Sequence, residues 1–272
     1  MLRSSPAERN SERQSASAQS VVEFQSVTKR FGELKVLDEL NLKIKRCERL
    51  AIIGRSGSGK STLLRLLMML ECLTSGEVLV DGEPLWHMSR KGQQVDADAA
   101  HLRRLRRKVV FQQFNLFPNM TPLQNVIVGA YPRPAHEKAR REAPRLDLLE
   151  SVGMAHKTDE HPCRLSGGQE QRVAIARALA MESEIMCFDE VTSALDPEVV
   201  GEVLNVLRQL AESGAMTMLF VTHEMRFARD VAHRVAFFDQ GKVVEEGPPE
   251  QILVRPEHER TQQFLRAVLE ER

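Results

Sequence analysis

One stretch constrains this chain more than any other: Gly54, Arg55, Ser56, Gly57, Ser58, Gly59, Lys60, Ser61 and Thr62. It fits the phosphate-binding pattern G-x-x-x-x-G-K-[ST]. Ahead of it, Leu50, Ala51, Ile52 and Ile53 form a short apolar run rich in β-branching, which predicts a buried strand. Behind it, residues 63–70 are apolar on nearly every face and predict a buried helix. A glycine-rich bend between strand and helix lets successive backbone N–H groups converge on an anion, and the helix start adds the positive end of its dipole. Lys60 brings a mobile positive charge for the outer phosphates, and Ser61 a hydroxyl for Mg2+. A chain built around this stretch is expected to bind a nucleoside triphosphate.

The 272 residues suffice for one large α/β domain, alone or with a subdomain, and 42% apolar content supplies a core. Lys+Arg 38 balances Asp+Glu 38, so no overall field draws the chain to nucleic acid or anionic lipid. Cys47, Cys72, Cys163 and Cys187 are far apart, which argues against a disulfide scaffold or a zinc site and fits a reducing compartment. No run reaches the roughly 18 apolar residues of a membrane helix, and no apolar signal core opens the chain. The expected location is the cytoplasm, with any membrane role exerted through partners. The chain's end at Arg272 leaves no large regulatory domain to expect.

Residues 1–20 lack periodicity and predict a short disordered tail. Strands are expected at 21–24 and 41–45, the latter with period two, as an antiparallel opening beside the phosphate-loop strand. Another is expected at 77–80 before an Asp81-Gly82 turn. A polar loop at 88–98 and a basic helix at 99–108 follow. The run Arg103, Arg104, Arg106, Arg107 and Lys108 reads as a solvated helix face rather than a nucleic-acid site. Val109, Val110 and Phe111 predict a strand ending at Gln112. From 115 to 162 prolines interrupt short helical stretches, and only 145–152 has clear helical spacing. An amphipathic helix is expected at 166–181, then a strand at 185–188 ending in Asp189 and Glu190. Helices at 198–212 and 224–231 alternate with strands at 218–221, 234–238 and 243–246, and helices at 249–254 and 257–270 close the chain. The alternation predicts a mainly parallel α/β core.

The strand ending in Asp189-Glu190 supplies the second half of such a site, because ligands sit at the carboxyl edge of a parallel sheet. Asp189 suits Mg2+, and Glu190 suits a general base for the attacking water. Leu165, Ser166, Gly167, Gly168 and Gln169 open a helix with a second anion-binding turn. Asp196 before Pro197 suits a helix N-cap.

These motifs stand in order with Gln112 after a strand, Ser193 to Asp196, and His223 after another strand. Together they resemble the ATP-binding subunits of ABC transporters over residues 21–270. The resemblance implies a P-loop NTPase core with an N-terminal antiparallel β-subdomain and an α-helical subdomain inserted at about 114–180. It implies Walker A at Gly54 to Thr62 and Walker B ending at Asp189-Glu190. Gln112 corresponds to the Q-loop glutamine reaching Mg2+, Ser166, Gly167, Gly168 and Gln169 to the signature, Asp196 to the D-loop, and His223 to the switch histidine. Phe31 stands where an aromatic stacks on adenine. Val191 and Glu170 replace a common proline and glutamine without removing a chemical group from the site, and residues 129–162 look short for the family.

What the family resemblance implies is a head-to-tail homodimer closing on two ATP molecules, Ser166 and Gly168 of one chain meeting the phosphate held by Lys60 of the other. Hydrolysis by Glu190, aided by His223 and Mg2+, reopens it. The partners implied are two integral membrane permease subunits and, through them, an extracytoplasmic solute-binding protein, with the ATPase peripheral on the cytoplasmic side of the inner membrane. The wording from Phe111 to Pro118 resembles polar amino acid importers, and residues 83–88 and 101–104 look most like ectoine/hydroxyectoine importers. Alternatives of the same class serve lipoprotein release, cell division or export. A non-transport ABC ATPase would want a long coiled coil, zinc cysteines or a second ATPase copy.

Overall fold

A computed structural model describes residues 19–88, 94–95, 109–112, 116–129, 142–214 and 216–270. The chain divides into two compact units, Met1–Arg106 with Ala215–Arg272, and Arg107–Gly214.

The first unit opens with two long strands, β1 (Ser20–Phe31) and β2 (Leu34–Lys45), antiparallel from Phe31↔Leu34 inward. Val22, Phe24 and Val27 of β1 and Leu40, Leu42 and Ile44 of β2 are buried. The strand expected at 21–24 runs on past Ser26, whose left-handed φ of 47° marks a bulge, with its N–H donated to the Asn41 side chain. That bulge in β1, and Glu39 of β2 at a left-handed φ of 49°, break the alternation in the sequence, and so two long strands read there as short ones. Next come β3 (Arg49–Ile53), α1 (Lys60–Leu67), and β4 (Ser75–Val80), which pairs antiparallel with β1. Asp81 and Gly82, both at positive φ, turn β4 into β5 (Glu83–Pro84), as an Asp-Gly hairpin requires. Where the sequence predicts only a polar loop, β6 (His87–Met88) and β7 (Gln94–Val95) form a small hairpin too short to show a period. The basic helix expected at 99–108 and residues 1–18 of the tail expected at 1–20 lie outside the described residues, while Ser20 already belongs to β1.

The second unit contains β8 (Val109–Gln112), α2 (Pro122–Gly129), α3 (Glu142–Ser151), α4 (Gly167–Leu179), β9 (Ile185–Asp189) and α5 (Pro197–Glu212). β8 and β9 pair in parallel, Gln112 opposite Phe188. Pro122 opens α2, where its missing N–H costs nothing. A Cβ at Gly129 would lie 2.4 Å from the Arg177 carbonyl oxygen, so α2 meets α4 backbone to backbone.

The chain then returns to the first unit with β10 (Thr217–Val221), α6 (Met225–Val231), β11 (Arg234–Asp239), β12 (Lys242–Gly247), α7 (Pro249–Val254) and α8 (Glu259–Glu270). β3 lies between β10 and β11, parallel to both, and β12 turns back antiparallel on β11. Strands covered on both faces read as apolar runs rather than alternations, as β3 and β10 do. One face is sealed by Ile252 of α7 and Phe264 and Leu265 of α8 against Ala51, Ile53, Val235 and Phe237. Phe237 and Phe264 rings stand 5.2 Å apart. Among the described residues no helix is long and apolar enough to cross a membrane.

Candidate nucleotide site

The phosphate loop leaves β3 at Gly54 and enters α1 at Lys60, with Gly59 in the N-cap position at φ 108°. Its glycines are dictated by space as well as by φ. A Cβ at Gly54 (φ +148°) would stand 2.0 Å from the Phe238 carbonyl oxygen, and one at Gly59 2.8 Å from that of Val36. The loop is thus threaded between β2 and the end of β11, where only bare backbone fits. Gly57, at φ +75°, meets nothing within 4 Å and needs glycine for its conformation alone.

Lys60 is 4% exposed, and its ammonium donates to the carbonyl oxygens of Gly54 (2.9 Å) and Arg55 (2.8 Å). The cation is thereby held inside its own loop, next to the N–H groups at the head of α1. The buried Ser58 hydroxyl has no hydrogen-bond partner, a cost a buried polar group rarely carries without a role. A cradle of backbone N–H groups, a lysine ammonium and an orphan hydroxyl suits the chemistry of a polyphosphate.

His223 follows β10. The pairing of Val221 with Ile52 brings the ends of β10 and β3 level, so Gly54 and His223 leave the sheet at the same edge, each two residues past that pair. The His223 side chain is exposed, and Thr222 accepts the Glu224 N–H at 3.0 Å to shape the bend. Phe31, at the end of β1, is 44% exposed rather than part of the core.

In the second unit Asp189 ends β9, and Glu190 adopts a left-handed φ of 48°. The Ser193 N–H (3.0 Å) and hydroxyl (2.9 Å) both donate to the Glu190 carbonyl, closing the turn that pins this backbone. Both acidic side chains are half-buried. Beneath them, burial and then the Asp189 charge push the Cys187 thiol far up, so it stays protonated and inert. The Gln112 backbone ends β8 one register step before Asp189; its side chain lies outside the described residues.

Ser166 caps α4 through a reciprocal box: its Oγ accepts the Gln169 N–H (3.3 Å), and Gln169 Oε1 accepts the Ser166 N–H (3.0 Å). Ser166 and Gly167 are exposed, while Gly168 is buried against Val199 of α5. Asp196 holds the N-cap position of α5, but its side chain makes no capping hydrogen bond, which corrects that part of the sequence reading. With Pro197 next in line, the first helical position has no N–H to bond.

Two residues escape the sequence reading. Lys29 lies under Phe31, 4.4 Å from the ring centroid. Asn125, wholly buried in α2, bonds the backbone of Phe117, Met120 and Thr121. Strand spacing of two between Lys29 and Phe31 was the signal for the first. A polar residue on the buried side of a short, proline-started helix was the signal for the second. Among the described residues no group of three or more His, Cys, Asp or Glu is arranged to hold a resident metal.

A strand–glycine loop–helix with a buried loop lysine, on a parallel sheet, defines a P-loop nucleoside triphosphatase. The family profile described as ABC transporter matches residues 37–193. The chain is 53% identical to a probable amino-acid ABC transporter ATP-binding protein of Sinorhizobium fredii, over 92% of this chain and 98% of that one. It is 47% identical to the arginine transport ATP-binding protein ArgV of Corynebacterium glutamicum, over 93% and 100%. Among solved structures, it superposes at TM-score 0.67 and 35% identity on a dimeric, post-hydrolysis ATP-binding cassette bound to ADP and Pi, covering 84% of this chain and 98% of that one. The chain belongs to the ABC transporter family, as an ATP-hydrolysing subunit of the ABC translocase type.

Proposed function

We propose that this chain powers an importer of polar amino acids or related compatible solutes by binding and hydrolysing ATP. The observation that supports ATP hydrolysis is the strand register, by which His223 and Gly54 leave the sheet at the same edge. The amino-acid class is supported by the relatives' names, amino-acid and arginine transport. The likeness of residues 83–88 and 101–104 to ectoine importers makes ectoine the first solute to test.

In this reading the loop N–H groups, Ser58 and Lys60 hold the phosphates, and Lys60 exchanges its two carbonyl partners for phosphate oxygens. Phe31 stacks on the base. Ser61, Gln112 and Asp189 would hold Mg2+, which would neutralise phosphate charge when bound. Glu190 takes the proton of the attacking water, and His223 contacts the terminal phosphate. Arg55, Ser56, Gly57, Gly59 and Thr62 complete the loop. Ser166, Gly167, Gly168 and Gln169, with Asp196, serve the nucleotide of a second copy, so two chains close head to tail on two ATP molecules. Opening and closing drive alternating access in two membrane permease subunits fed by an extracytoplasmic solute-binding protein, with the ATPase peripheral on the cytoplasmic side of the inner membrane.

Light scattering on Glu190→Gln tests this directly. We expect a monomer that becomes a dimer on addition of ATP and Mg2+, with hydrolysis slowed at least about 100-fold. Rapid turnover by the variant would remove Glu190 as the base. ATP binding without dimerisation would mean either that closure requires the membrane partners or that Ser166 and Gly168 do not serve the partner's site.

A further inference from the structure

Lys29 is 8% exposed, and burying an ammonium is costly unless its charge and donors are met. Two of its contacts are conventional: the Glu71 carboxylate at 3.0 Å and the Cys72 carbonyl at 2.8 Å. The segment carrying them is itself tied to β1, since the Thr74 N–H donates to the Thr28 carbonyl (2.8 Å) and the Arg30 N–H to the Thr74 hydroxyl (2.9 Å). The ammonium therefore has a fixed position. Its third neighbour is the Phe31 ring, 4.4 Å to the centroid, within cation–π range.

An ion pair whose only task was to tie the segment after α1 to β1 would need no aromatic beside it. Yet the phenylalanine it touches is 44% exposed. An exposed phenylalanine ordinarily samples its rotamers freely. This one meets, through one face, a cation held by two hydrogen bonds.

We propose that Lys29 is a positioning residue for the nucleotide base: its buried ammonium clamps one face of Phe31 and so pre-sets the ring as a stacking surface. Pre-setting removes the entropy that ordering the ring on binding would otherwise cost. The inference rests on the reading of Phe31 as the residue that stacks on adenine.

The test compares ATP with inorganic tripolyphosphate, which offers the phosphates without a base. Affinities are read by calorimetry on the full chain for Phe31→Ala, Lys29→Met, Lys29→Arg and the double variant Phe31→Ala/Lys29→Met. Phe31→Ala should weaken ATP about 5- to 100-fold and leave tripolyphosphate unchanged. Lys29→Met should weaken ATP about three- to tenfold with tripolyphosphate unchanged, Lys29→Arg should restore ATP, and the double variant should be no worse than Phe31→Ala. If Phe31→Ala leaves ATP affinity intact, the stacking reading itself falls. If Phe31→Ala weakens ATP but Lys29→Met does not, stacking stands and the clamp falls. Equal weakening of both ligands by Lys29→Met would make the residue merely structural. Should Lys29→Met not fold, Glu71→Gln neutralises one anchor of the ammonium; a loss of ATP relative to tripolyphosphate supports the clamp, and an unchanged ratio overturns it.

Discussion

The side-chain oxygen of Asn125 accepts the Phe117 N–H at 2.8 Å while its amide nitrogen donates to the carbonyl of the same residue at 3.2 Å. The same nitrogen reaches the carbonyls of Met120 (3.0 Å) and Thr121 (3.2 Å). One buried amide thus fixes the backbone of residues 117–121. It leaves the Phe117 ring 44% exposed, with the Arg177 guanidinium 5.5 Å from its centroid. Asn125→Ala should cost about 2–4 kcal/mol in urea unfolding, because four hydrogen bonds go and the Phe117 N–H loses its partner inside the protein. Asn125→Asp should cost more, having lost the donors and gained a charge. A cost below about 0.5 kcal/mol for Asn125→Ala would mean that other contacts hold the loop.

Gly54 and Gly57 separate two reasons for glycine. At Gly54 a methyl would collide with the Phe238 carbonyl oxygen, a backbone atom that cannot swing away. At Gly57 there is room, and only the left-handed φ of 75° resists. Measured without nucleotide, Gly54→Ala should lose at least about 3 kcal/mol or fail to fold. Gly57→Ala should lose about 1–2 kcal/mol. Equal effects would show that the loop does not hold these positions.

Lys242 first, and Lys35 second, hold the Asp38 carboxyl down from 3.8 to about 2. The two ammonium groups sit 2.8 Å and 2.7 Å from its oxygens. The unfolded chain takes up this proton near pH 4, whereas the folded chain resists until about pH 2, so the contribution is full above pH 4 and is lost on acidification through that window. Asp38→Asn should flatten this part of a stability–pH curve. Because both lysines are exposed, 0.5 M salt should shrink the difference between the two proteins.

Much of the candidate nucleotide site was legible in position because its motifs are local. The glycines, Lys60 and Ser61 are consecutive, and Ile185 to Phe188 form an unbroken apolar run that delivers Asp189 and Glu190 to a strand end. What stayed hidden depends on contacts distant in sequence. The bulge at Ser26 needs Asn41, the clamp on Phe31 needs Glu71, and the role of Asn125 needs Phe117. Asp196 shows the opposite limit: residue type and position predicted the cap, but the hydrogen bond is not made. The hairpin at His87 and Gln94 was illegible for a third reason, since two residues per strand carry no period.

In the proposed mechanism, the left-handed backbone of Glu190 sets folding against turnover at a single position. Side chains other than glycine and asparagine are strained there by about 1–2 kcal/mol. Glu190→Asn should therefore unfold at a higher temperature than the parent while losing hydrolysis, as a melting curve and a phosphate-release assay would show together. A library sorted for thermal survival alone would discard this carboxylate early. Heat tolerance with activity has to be sought at positions that do no chemistry.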